Sequence, residues 1–536
     1  MTGNQFFISS ASVLTALLPA CITGQQKKAD AKRPNILYIM SDDHSYQTIS
    51  AYGYGLNQTP NIDKIAGSGM LFRNSFVANS ISGPCRAIVL TGKFSHMNGF
   101  YDNSGKTMFD GSQQTFPKLL QAAGYQTAVI GKWHLGSTPT GFDYYSIHTG
   151  QGTYYGPDMI EPDGKKTYEG EYATDLTCKK SVEWLEQRDK SKPFCLLMQF
   201  KAPHRNWMPA PDKMEMYEDV TFPLPDNFYD DYRGRRAAAE QKMTIAKDMT
   251  IEWDTKMLDL DNSGYGESIG KAELSRMTPE QRATFDRVYG KIREDFLARN
   301  LQGNELTEWK YQRYMRDYLK VISTIDDKVG LMIDYLKKNG LWENTVVVYT
   351  SDQGFYMGEH GWFDKRFMYE ESFRAPLLIS YPRLIKKGGV ENSALVQNID
   401  FAPTILDLAG IEVPQDMQGE SFKSILAGKK DEIRDALYYH YYEFPVPHAV
   451  KRHYGVRDSR YKLIHFYYDI DTWELFDLQN DPKEMTNLID DPNYRDVVAD
   501  MKVKLKELQI KYKDTDPMNT YPIDKEQVGK AGLTHY

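Results

Sequence analysis

The sequence predicts an α/β fold: a mostly parallel sheet flanked by helices, followed by a smaller C-terminal part with an antiparallel sheet and a helix. Three patterns indicate this. Four nearly continuous apolar runs have the length and composition of buried parallel strands. Segments with helical periodicity lie between them. After residue 434 the pattern changes to alternating polar and apolar residues interrupted by turn signals.

Each of the four predicted strands is followed at once by residues that can do chemistry. The runs are NILYIMSDD (Asn35–Asp43), YQTAVIGKWH (Tyr125–His134), PFCLLMQFKAPH (Pro193–His204) and TVVVYTSDQG (Thr345–Gly354). In open α/β sheets, ligands bind outside the carboxyl ends of the strands. We therefore expect one edge of the sheet to collect Asp42, Asp43, Lys132, His134, His204, Asp352 and Gln353.

The clearest predicted helix runs from Tyr311 to Asn339, because apolar residues recur there every three or four positions before Gly340 ends the pattern. Between 206 and 306 the sequence is charged and helix-rich, and we interpret it as an insertion that frames the site. The catalytic domain is expected at 33–434 and a C-terminal subdomain at 435–536. In the subdomain, YGVRDSRYKLIHFYYDIDTWELFDL alternates like antiparallel strands and DVVADMKVKLKELQIKY predicts a closing helix.

The N-terminal segment, residues 1–21, predicts export. FFISSASVLTALLPAC (Phe6–Cys21) is an apolar run too short to span a bilayer and ends in small residues, as secretory signals do, although no Lys or Arg precedes it. Leu18–Cys21 resembles a bacterial lipobox in which Pro19 is atypical. Cys21 would then carry a lipid anchor; ordinary signal cleavage nearby is the alternative. Either way we expect an exported protein, in the periplasm or on the surface of a bacterium.

Composition narrows the function classes further. Of 536 residues, 41% are hydrophobic and 26% are charged, which excludes a disordered chain and an integral membrane protein. The net charge of −8 argues against a nucleic-acid-binding protein, so a polyanionic substrate would need a local basic pocket. Cys85, Cys178 and Cys195 form neither a disulfide framework nor a zinc-binding spacing, and a single bridge stays open.

Two acidic strand ends predict a cation site. The pair Asp42-Asp43 alone is a weak signal, because most acidic pairs lie in solvated turns. The pair Asp352-Gln353 at an aligned strand end strengthens it. Carboxylate and amide oxygens favour Ca²⁺ or Mg²⁺ over Zn²⁺.

Basic side chains at the same edge predict anion binding. Lys132 and His134 share one face if the strand continues, and His204 adds a second imidazole. Lys365 and Arg366 follow the last strand and add positive charge. These groups suit general acid catalysis and the binding of an anion.

The stretch from Ser82 to Gly92 carries a specific resemblance. Ser82-x-Pro84-x-Arg86, followed by Leu90-Thr91-Gly92, is similar to the signature of type I sulfatases, which have an alkaline-phosphatase-like α/β fold. The resemblance covers most of the chain. It includes GKWHLG, KAPH, SDQG and the turn Asp364-Lys365-Arg366, in the family's order.

The resemblance identifies the reactive residue. The first signature position of this family is Cys or Ser, which a maturase oxidises to formylglycine, and Ser82 occupies it here. Cys85 is then a bystander. Without the other motifs, Ser82 would be interpreted as a helix cap or turn residue. The hydrated aldehyde offers two hydroxyls on one carbon, of which one can attack sulfur and the other can later expel sulfate.

The resemblance also implies roles for the surrounding side chains. His134 assists the hydrate, and His204 with Lys365 faces the leaving oxygen as acid. Lys132 and Arg86 offset negative charge. The positions that resemble the family's Ca²⁺ ligands are Asp42, Asp43, Ser82, Asp352 and Gln353. The family often has Asn where Gln353 stands, which leaves the reach of that ligand open.

The predicted substrate is a sulfated glycan. KAPHRNWMPAPD and DKRFMYEESFRAPLL look most like the N-acetylglucosamine-6-sulfatase branch, which implies a 6-O-sulfate in a glycosaminoglycan or mucin. The substrate-binding residues expected are Lys132, His204, Lys365, His448, Arg452 and His453, the last three equally compatible with an exposed loop. Trp133 and Trp207 would stack on a sugar ring or lie in the core.

Two alternatives stay open at this stage. A phosphatase or phosphodiesterase of the same superfamily would use two zinc ions, and a His would then be more natural where Gln353 stands. A non-catalytic glycan-binding protein would retain an unmodified Ser82.

Overall fold

The computed structural model describes residues 1–3, 5, 33–105, 108–260, 265–445 and 447–521. The predicted signal segment around Cys21 lies outside these ranges, which describe only residues 1–3 and 5 of its first part. Within them, none of the helices combines the length and the hydropathy that a membrane crossing requires.

The strands, in chain order, are β1 (Asn35–Ser41), β2 (Met70–Phe72), β3 (Ser75–Phe76), β4 (Gln126–Gly131), β5 (Tyr144–His148), β6 (Asp158–Glu161), β7 (Gly164–Thr167), β8 (Phe194–Gln199), β9 (Thr345–Ser351), β10 (Leu377–Ser380), β11 (Val390–Asn392), β12 (Val396–Gln397), β13 (Ala436–Tyr441), β14 (His453–Asp458), β15 (Tyr461–Phe466) and β16 (Thr472–Asp477).

The α-helices are α1 (Pro60–Ser68), α2 (Ser82–Thr91), α3 (Ser95–Asn98), α4 (Phe116–Ala122), α5 (Ala173–Gln187), α6 (Arg236–Glu240), α7 (Tyr265–Leu274), α8 (Pro279–Arg299), α9 (Gly303–Lys338), α10 (Glu370–Phe373), α11 (Phe401–Leu408), α12 (Lys423–Leu426) and α13 (Arg495–Tyr512). Single 3₁₀ turns lie at Tyr46–Thr48, Ser50–Tyr52, Pro211–Lys213, Trp342–Asn344, Glu359–Gly361, Asn398–Asp400 and Pro492–Tyr494.

The main sheet has the strand order β11-β2-β10-β9-β1-β8-β4-β5-β6-β7. Its centre, from β9 to β5, is parallel. The four strands predicted from apolar runs are β1, β4, β8 and β9, and they are neighbours in this sheet. The prediction of a mostly parallel sheet is therefore confirmed, and the four sets of polar residues that follow these strands lie at one edge.

Helices cover both faces of the sheet, and its central strands are therefore buried on both sides. Residues Leu37 and Ile39 of β1 face the core that contains α9, whereas Ile36 and Tyr38 face the core that contains α2 and α11. Helix α9 begins eight residues before the predicted start at Tyr311. Its extra turns are mostly polar, so the apolar pattern did not mark them.

Two further expectations concern the insertion and the C-terminal part. Within 206–306, helices α6, α7 and α8 and the start of α9 lie after residue 235, whereas residues 206–235 form loops with one 3₁₀ turn. The C-terminal part has the predicted antiparallel sheet, β13-β14-β15-β16, and α13 as its closing helix. It belongs to the same structural unit as the main sheet, and this unit starts at Pro34.

Candidate active site

The acidic centre of the site is built by the parallel pairing of two strands. Ser41 of β1 lies opposite Ser351 of β9, so the residues that follow, Asp42 and Asp352, leave the sheet side by side. The backbone N–H of Asp43 donates to Oδ1 of Asp352 over 3.1 Å. Asp43 has a φ of 69°, a left-handed conformation that Asp tolerates better than most residues. All three carboxylates are buried.

Helix α2 brings the signature residues to this centre. Ser82 is its first residue, and its Oγ donates to Oδ1 of Asp42 over 2.9 Å. Arg86 lies one turn later on the same face and donates from Nη2 and Nε to Oδ2 of Asp352, at 2.9 and 3.2 Å. Pro84 occupies the first helical turn, where no backbone N–H is needed. The Ser-x-Pro-x-Arg spacing is therefore a helix-start geometry that aims a hydroxyl and a guanidinium at one carboxylate pair.

A second positively charged side chain, that of Lys132, reaches the centre from β4. Gly131 ends this strand with a φ of 108°, and a Cβ there would lie 1.8 Å from the backbone oxygen of Gln199, so only glycine fits. The following Lys132 places its Nζ against Oδ2 of Asp42. Its backbone oxygen accepts from Nη1 of Arg86 over 2.8 Å, which ties the strand end to helix α2.

The opposite side of the centre is occupied by Lys365 and Gln353. Nζ of Lys365 lies 2.6 Å from Oδ2 of Asp43. Nε2 of Gln353 donates to Oδ1 of Asp352 over 2.8 Å and also contacts Asp43. Oε1 of Gln353 is buried and has no hydrogen-bond partner. Rotation of this amide by half a turn would exchange the nitrogen for the oxygen, because the two ends are nearly equal in size.

Two histidines flank the centre. Nε2 of His204 lies 3.9 Å from Oδ2 of Asp43, and its Nδ1 donates to the backbone oxygen of Arg205 over 2.8 Å. Nε2 of His134 accepts from Nε2 of Gln151 over 3.0 Å. Burial lowers the pKa of both imidazoles well below its usual value, and the positive charge of Lys132 adds to the effect.

Charge is balanced within this buried cluster. Burial raises the pKa of Asp43 to about 7, and Lys365 opposes that shift. Burial lowers the pKa of Lys132 to about 8 despite the neighbouring Asp42. Three carboxylates thus face three basic groups, namely Asp42, Asp43 and Asp352 against Arg86, Lys132 and Lys365. Buried ionisable groups with shifted pKa values are typical of active sites, so we interpret this cluster as the candidate active site.

The donor set fits a hard divalent cation. Carboxylates and one amide oxygen are the ligands that Ca²⁺ prefers, and the unpartnered Oε1 of Gln353 is a ligand that a cation would satisfy. Ammonium and amide N–H groups now contact the carboxylate oxygens that a cation would bind. Ligand atoms of Asp42, Asp43 and His204 lie within 4.8 Å of one another, which is the one such group found in the described part of the chain.

Sequence reasoning missed the residues that connect this centre to its rim. Asn103 accepts at Oδ1 from the backbone N–H of Gly83 over 3.1 Å, directly beside Ser82. Glu443 accepts at Oε2 from Nε of Arg366 over 3.1 Å. Asn103 and Glu443 lie outside the motifs, and nothing in their local pattern marks them.

The predicted sugar contacts have three different outcomes. His448 lies close to the centre, with Nε2 3.2 Å from Oδ2 of Asp364, the residue before Lys365. Arg452 is 2% exposed, and its Nη1 donates to the backbone oxygen of Tyr521 over 2.6 Å. We therefore correct its role from a direct sugar contact to a buried anchor.

His453 is the clearest correction. It is fully buried in β14, and its Nδ1 donates to the oxygen of Lys451 while its Nε2 accepts from the N–H of Met368. Both ring nitrogens are used by backbone, so no atom is left for a sugar. Trp207 is likewise fully buried, packed against Tyr314. Trp133 is 4% exposed. Both indoles therefore pack in the core, and neither is placed to stack on a sugar ring.

The described cysteines are structural thiols. Cys85, Cys178 and Cys195 are free and buried, so no bridge forms among them. Cys85 donates to the backbone oxygen of Asp352, and Nδ2 of Asn398 donates to its sulfur over 3.0 Å. Burial raises the pKa of Cys85 well above its usual value, which keeps the thiol protonated and a poor nucleophile.

Exchange of Cys85 for serine tests this assignment. We expect the Cys85→Ser variant to keep kcat/KM for a sulfate ester within about tenfold of the parent, since the hydroxyl preserves the donor. Cys195→Ser, another buried thiol, serves as the control for the packing cost. Loss of activity by more than about a thousandfold in Cys85→Ser alone would make the thiol the nucleophile.

Comparisons with known proteins identify the family of this chain. The sulfatase family profile matches residues 34–411, and the profile described as N-sulphoglucosamine sulphohydrolase, C-terminal, matches residues 358–511. The chain is 51% identical over 518 residues to an N-acetylglucosamine-6-O-sulfatase of Bacteroides thetaiotaomicron, covering 94% of this chain and 91% of that protein.

Solved structures show the same relationship. One, at 50% identity, has a TM-score of 0.88 and covers 91% of this chain and all of the other; it was solved in complex with its substrate D-glucosamine-2-N,6-O-disulfate. A phosphonate monoester hydrolase of Agrobacterium radiobacter matches with a TM-score of 0.63 over 90% of this chain and 96% of its own, but at 20% identity it shares only the fold. From the profile match and the 51% identity it follows that this chain belongs to the sulfatase family of sulfuric ester hydrolases.

Proposed function

We propose that this protein hydrolyses the 6-O-sulfate of N-acetylglucosamine-type residues in a sulfated glycan. The observation that carries the proposal is the position of Ser82: its hydroxyl lies 2.9 Å from Asp42, inside a cluster of carboxylates, two lysines and Arg86. The substrate class is supported by the 51% identity to a protein named for this activity, across 94% of the chain.

Conversion of Ser82 to formylglycine by a maturase is part of the proposal. The hydrated aldehyde would supply one hydroxyl for attack on sulfur and a second for the release of sulfate. Ser82 is 1% exposed and surrounded by fixed charges, so water is largely excluded from the reacting group. Nε2 of His134 is engaged by Gln151, whereas its Nδ1 is buried without a hydrogen-bond partner. Nδ1 is therefore the ring atom that we propose to hydrogen-bond the hydrate.

A calcium ion is the proposed cofactor, held by Asp42, Asp43, Asp352 and Gln353 with residue 82. When bound, it would lower the free energy of negative charge on the nucleophile and on a sulfate oxygen. Lys132 contacts Asp42 and Lys365 contacts Asp43, so the two ammonium groups approach the acidic centre from two sides. They would bind the remaining sulfate oxygens. The basic groups thus form the local anion pocket that a chain of net charge −8 requires.

His204 is the proposed general acid. Its Nδ1 is engaged by the oxygen of Arg205, so Nε2 is the ring atom that faces the carboxylate cluster. Because Nδ1 carries the hydrogen and burial lowers the pKa of the imidazole, Nε2 would first have to gain a proton, which the negative charge of a bound sulfate favours. His204 would then donate this proton to the sugar oxygen as the S–O bond breaks. Both ring nitrogens of His448 are already paired, Nδ1 with the backbone oxygen of Lys242 over 2.6 Å and Nε2 with Asp364 over 3.2 Å. We therefore propose that His448 and Asp364 position the neighbouring Lys365.

The two rival functions are less well supported. A two-zinc phosphatase needs a second set of ligands, and the described residues contain one metal-ligand group, which includes a single imidazole. A binding protein with unmodified Ser82 would not need a general acid and an anion pocket around that hydroxyl. Export, with a lipid on Cys21, remains a proposal supported only by the N-terminal sequence.

A panel of defined monosulfated sugars tests the function. Protein with confirmed formylglycine should release sulfate from N-acetylglucosamine 6-sulfate at least about a hundredfold faster than from the 3-sulfate isomer. It should also release that sulfate at least about a hundredfold faster than it releases phosphate from N-acetylglucosamine 6-phosphate. A preference for the phosphate that rises with added zinc would replace the sulfatase proposal with the phosphatase one. Equal rates on every sulfated position would remove the 6-O assignment.

Removal of the cation has an expected result of its own. EDTA should lower both activity and Tm, and Ca²⁺ at a hundred times its Kd should restore about 2.7 kcal/mol of stability. Asp352→Asn should abolish the Ca²⁺-dependent rise in Tm, whereas Asp110→Asn, an exposed acid outside the cluster, should retain it. A Tm that is the same with and without Ca²⁺ in the parent protein would contradict the cation site.

A further inference from the structure

The segment that follows the last helix returns to the rim of the active site. Residues 513–521 lie beyond both profile matches, which end at 411 and 511. The turn after α13 places Asp514 in the core, where it accepts from Nδ1 of His440 and from the hydroxyl of Tyr438, each over 2.7 Å. Thr520 donates to the same carboxylate over 3.0 Å. The segment is therefore held at its start by a buried, charge-assisted contact.

Its other end is held by Tyr521. Nη1 of Arg452 donates to the backbone oxygen of Tyr521 over 2.6 Å, and the guanidinium lies 5.1 Å from the centre of its ring. The ring stacks on Tyr101, with centroids 4.4 Å apart and planes 13° from parallel. The phenol donates to Oδ2 of Asp102 over 2.9 Å. Burial and the Asp102 carboxylate raise the pKa of Tyr521, so the phenol remains a hydrogen-bond donor.

The residues that Tyr521 contacts belong to a loop, Tyr101–Ser104, with no helix or strand of its own. Asn103 is the loop residue next to the reactive position, because its Oδ1 accepts from the N–H of Gly83 over 3.1 Å. Its backbone N–H donates to Oε1 of Glu443 over 3.2 Å, and Glu443 also accepts from Arg366. The loop thus joins the start of helix α2 to the basic rim.

The geometry points to Tyr521 as a positioning residue: we propose that segment 513–521 clamps loop Tyr101–Ser104 and thereby sets the rim that binds the sugar. This inference rests on the proposed sulfatase function. The loop has little regular backbone pairing, so its position depends on side-chain contacts such as the one between Tyr521 and Asp102. Loss of the phenol would loosen the rim and leave the buried charges around Ser82 in place.

Tyr521→Phe tests the clamp, because it removes one hydroxyl and keeps the stacked ring. We expect KM for the sulfated sugar to rise about tenfold, with kcat for a small aryl sulfate unchanged within about twofold. Tyr229→Phe is the matched control: its phenol also donates to a carboxylate, Glu308, over 2.7 Å, but the pair is exposed, and both kinetic constants should stay unchanged. A merely structural role would lower Tm and the rates on both substrates together.

Amide hydrogen exchange supplies a readout that does not depend on activity. In Tyr521→Phe, amides of residues 101–105 should exchange at least about fivefold faster than in the parent and in Tyr229→Phe. Faster exchange with the KM effect supports the proposal. Unchanged exchange, or equal effects on both substrates, overturns it. Parent protein that turns over no sulfate ester despite formylglycine would refute the proposed function and with it the substrate-binding role, whereas the exchange result would still decide whether the loop is clamped.

Discussion

Ser82→Ala should lower kcat/KM for sulfate esters by at least about 10⁴-fold, equivalent to about 5.5 kcal/mol of transition-state stabilisation, if Ser82 is the proposed formylglycine position. The reason is chemical: the methyl side chain of alanine cannot be oxidised to an aldehyde. Folding should be little affected, because the hydroxyl makes one hydrogen bond, to Asp42, and the side chain is small. Steady-state kinetics with a sugar sulfate and an aryl sulfate, together with Tm, measure both expectations.

The control for this experiment is Ser80→Ala, two residues earlier in the same buried segment, which should stay within about tenfold of the parent. Mass spectrometry of the peptide that contains residue 82 links activity to chemistry, since conversion of the alcohol to the aldehyde removes about two hydrogens. Retention of more than about a tenth of the activity in Ser82→Ala would show that another group attacks sulfur.

His204→Ala separates proton donation from sulfate binding by the response to the leaving group. A sugar alcohol is a poor leaving group and needs a proton, so kcat for the sugar sulfate should fall by about 10²- to 10⁴-fold. Nitrophenolate leaves without a proton donor, so kcat for nitrophenyl sulfate should fall by less than about tenfold. The measurement is kcat for the two esters, in the variant and in the parent, at saturating substrate.

A distant histidine provides the comparison for that variant. His465 lies in β15, stacked on Trp473 and paired with the exposed Asp471, and His465→Ala should leave the ratio of the two kcat values unchanged. If His204→Ala slowed both esters by the same factor, the imidazole would be a sulfate ligand or a positioning residue, and the acid would have to be sought elsewhere, first at Lys365.

The sequence was sufficient to predict structural features that depend on a single chain segment. The apolar runs predicted β1, β4, β8 and β9 because a strand buried on both faces excludes polar residues along its length. The polar residues after those runs met at one edge because parallel strands place their carboxyl ends together. The start of α9 was missed because its first turns lie outside the apolar pattern.

Sequence reasoning failed where exposure depends on distant segments. His453 and Arg452 look like exposed loop residues in the sequence, yet β14 is covered by other elements and Arg452 is enclosed with Tyr521. The contact of Tyr521 with Asp102 joins residues 419 positions apart, and no local pattern encodes such a pairing.

The sequence by itself determined the kind of chemistry: the Ser82-x-Pro84-x-Arg86 signature, and acids, lysines and histidines at strand ends. Strand patterns are local, so the positions at which the strands end follow from the apolar runs alone. Only the tertiary structure decided which polar side chains face the reacting group and which are used up inside the core. That distinction depends on burial against segments remote in the chain, which spacing does not encode.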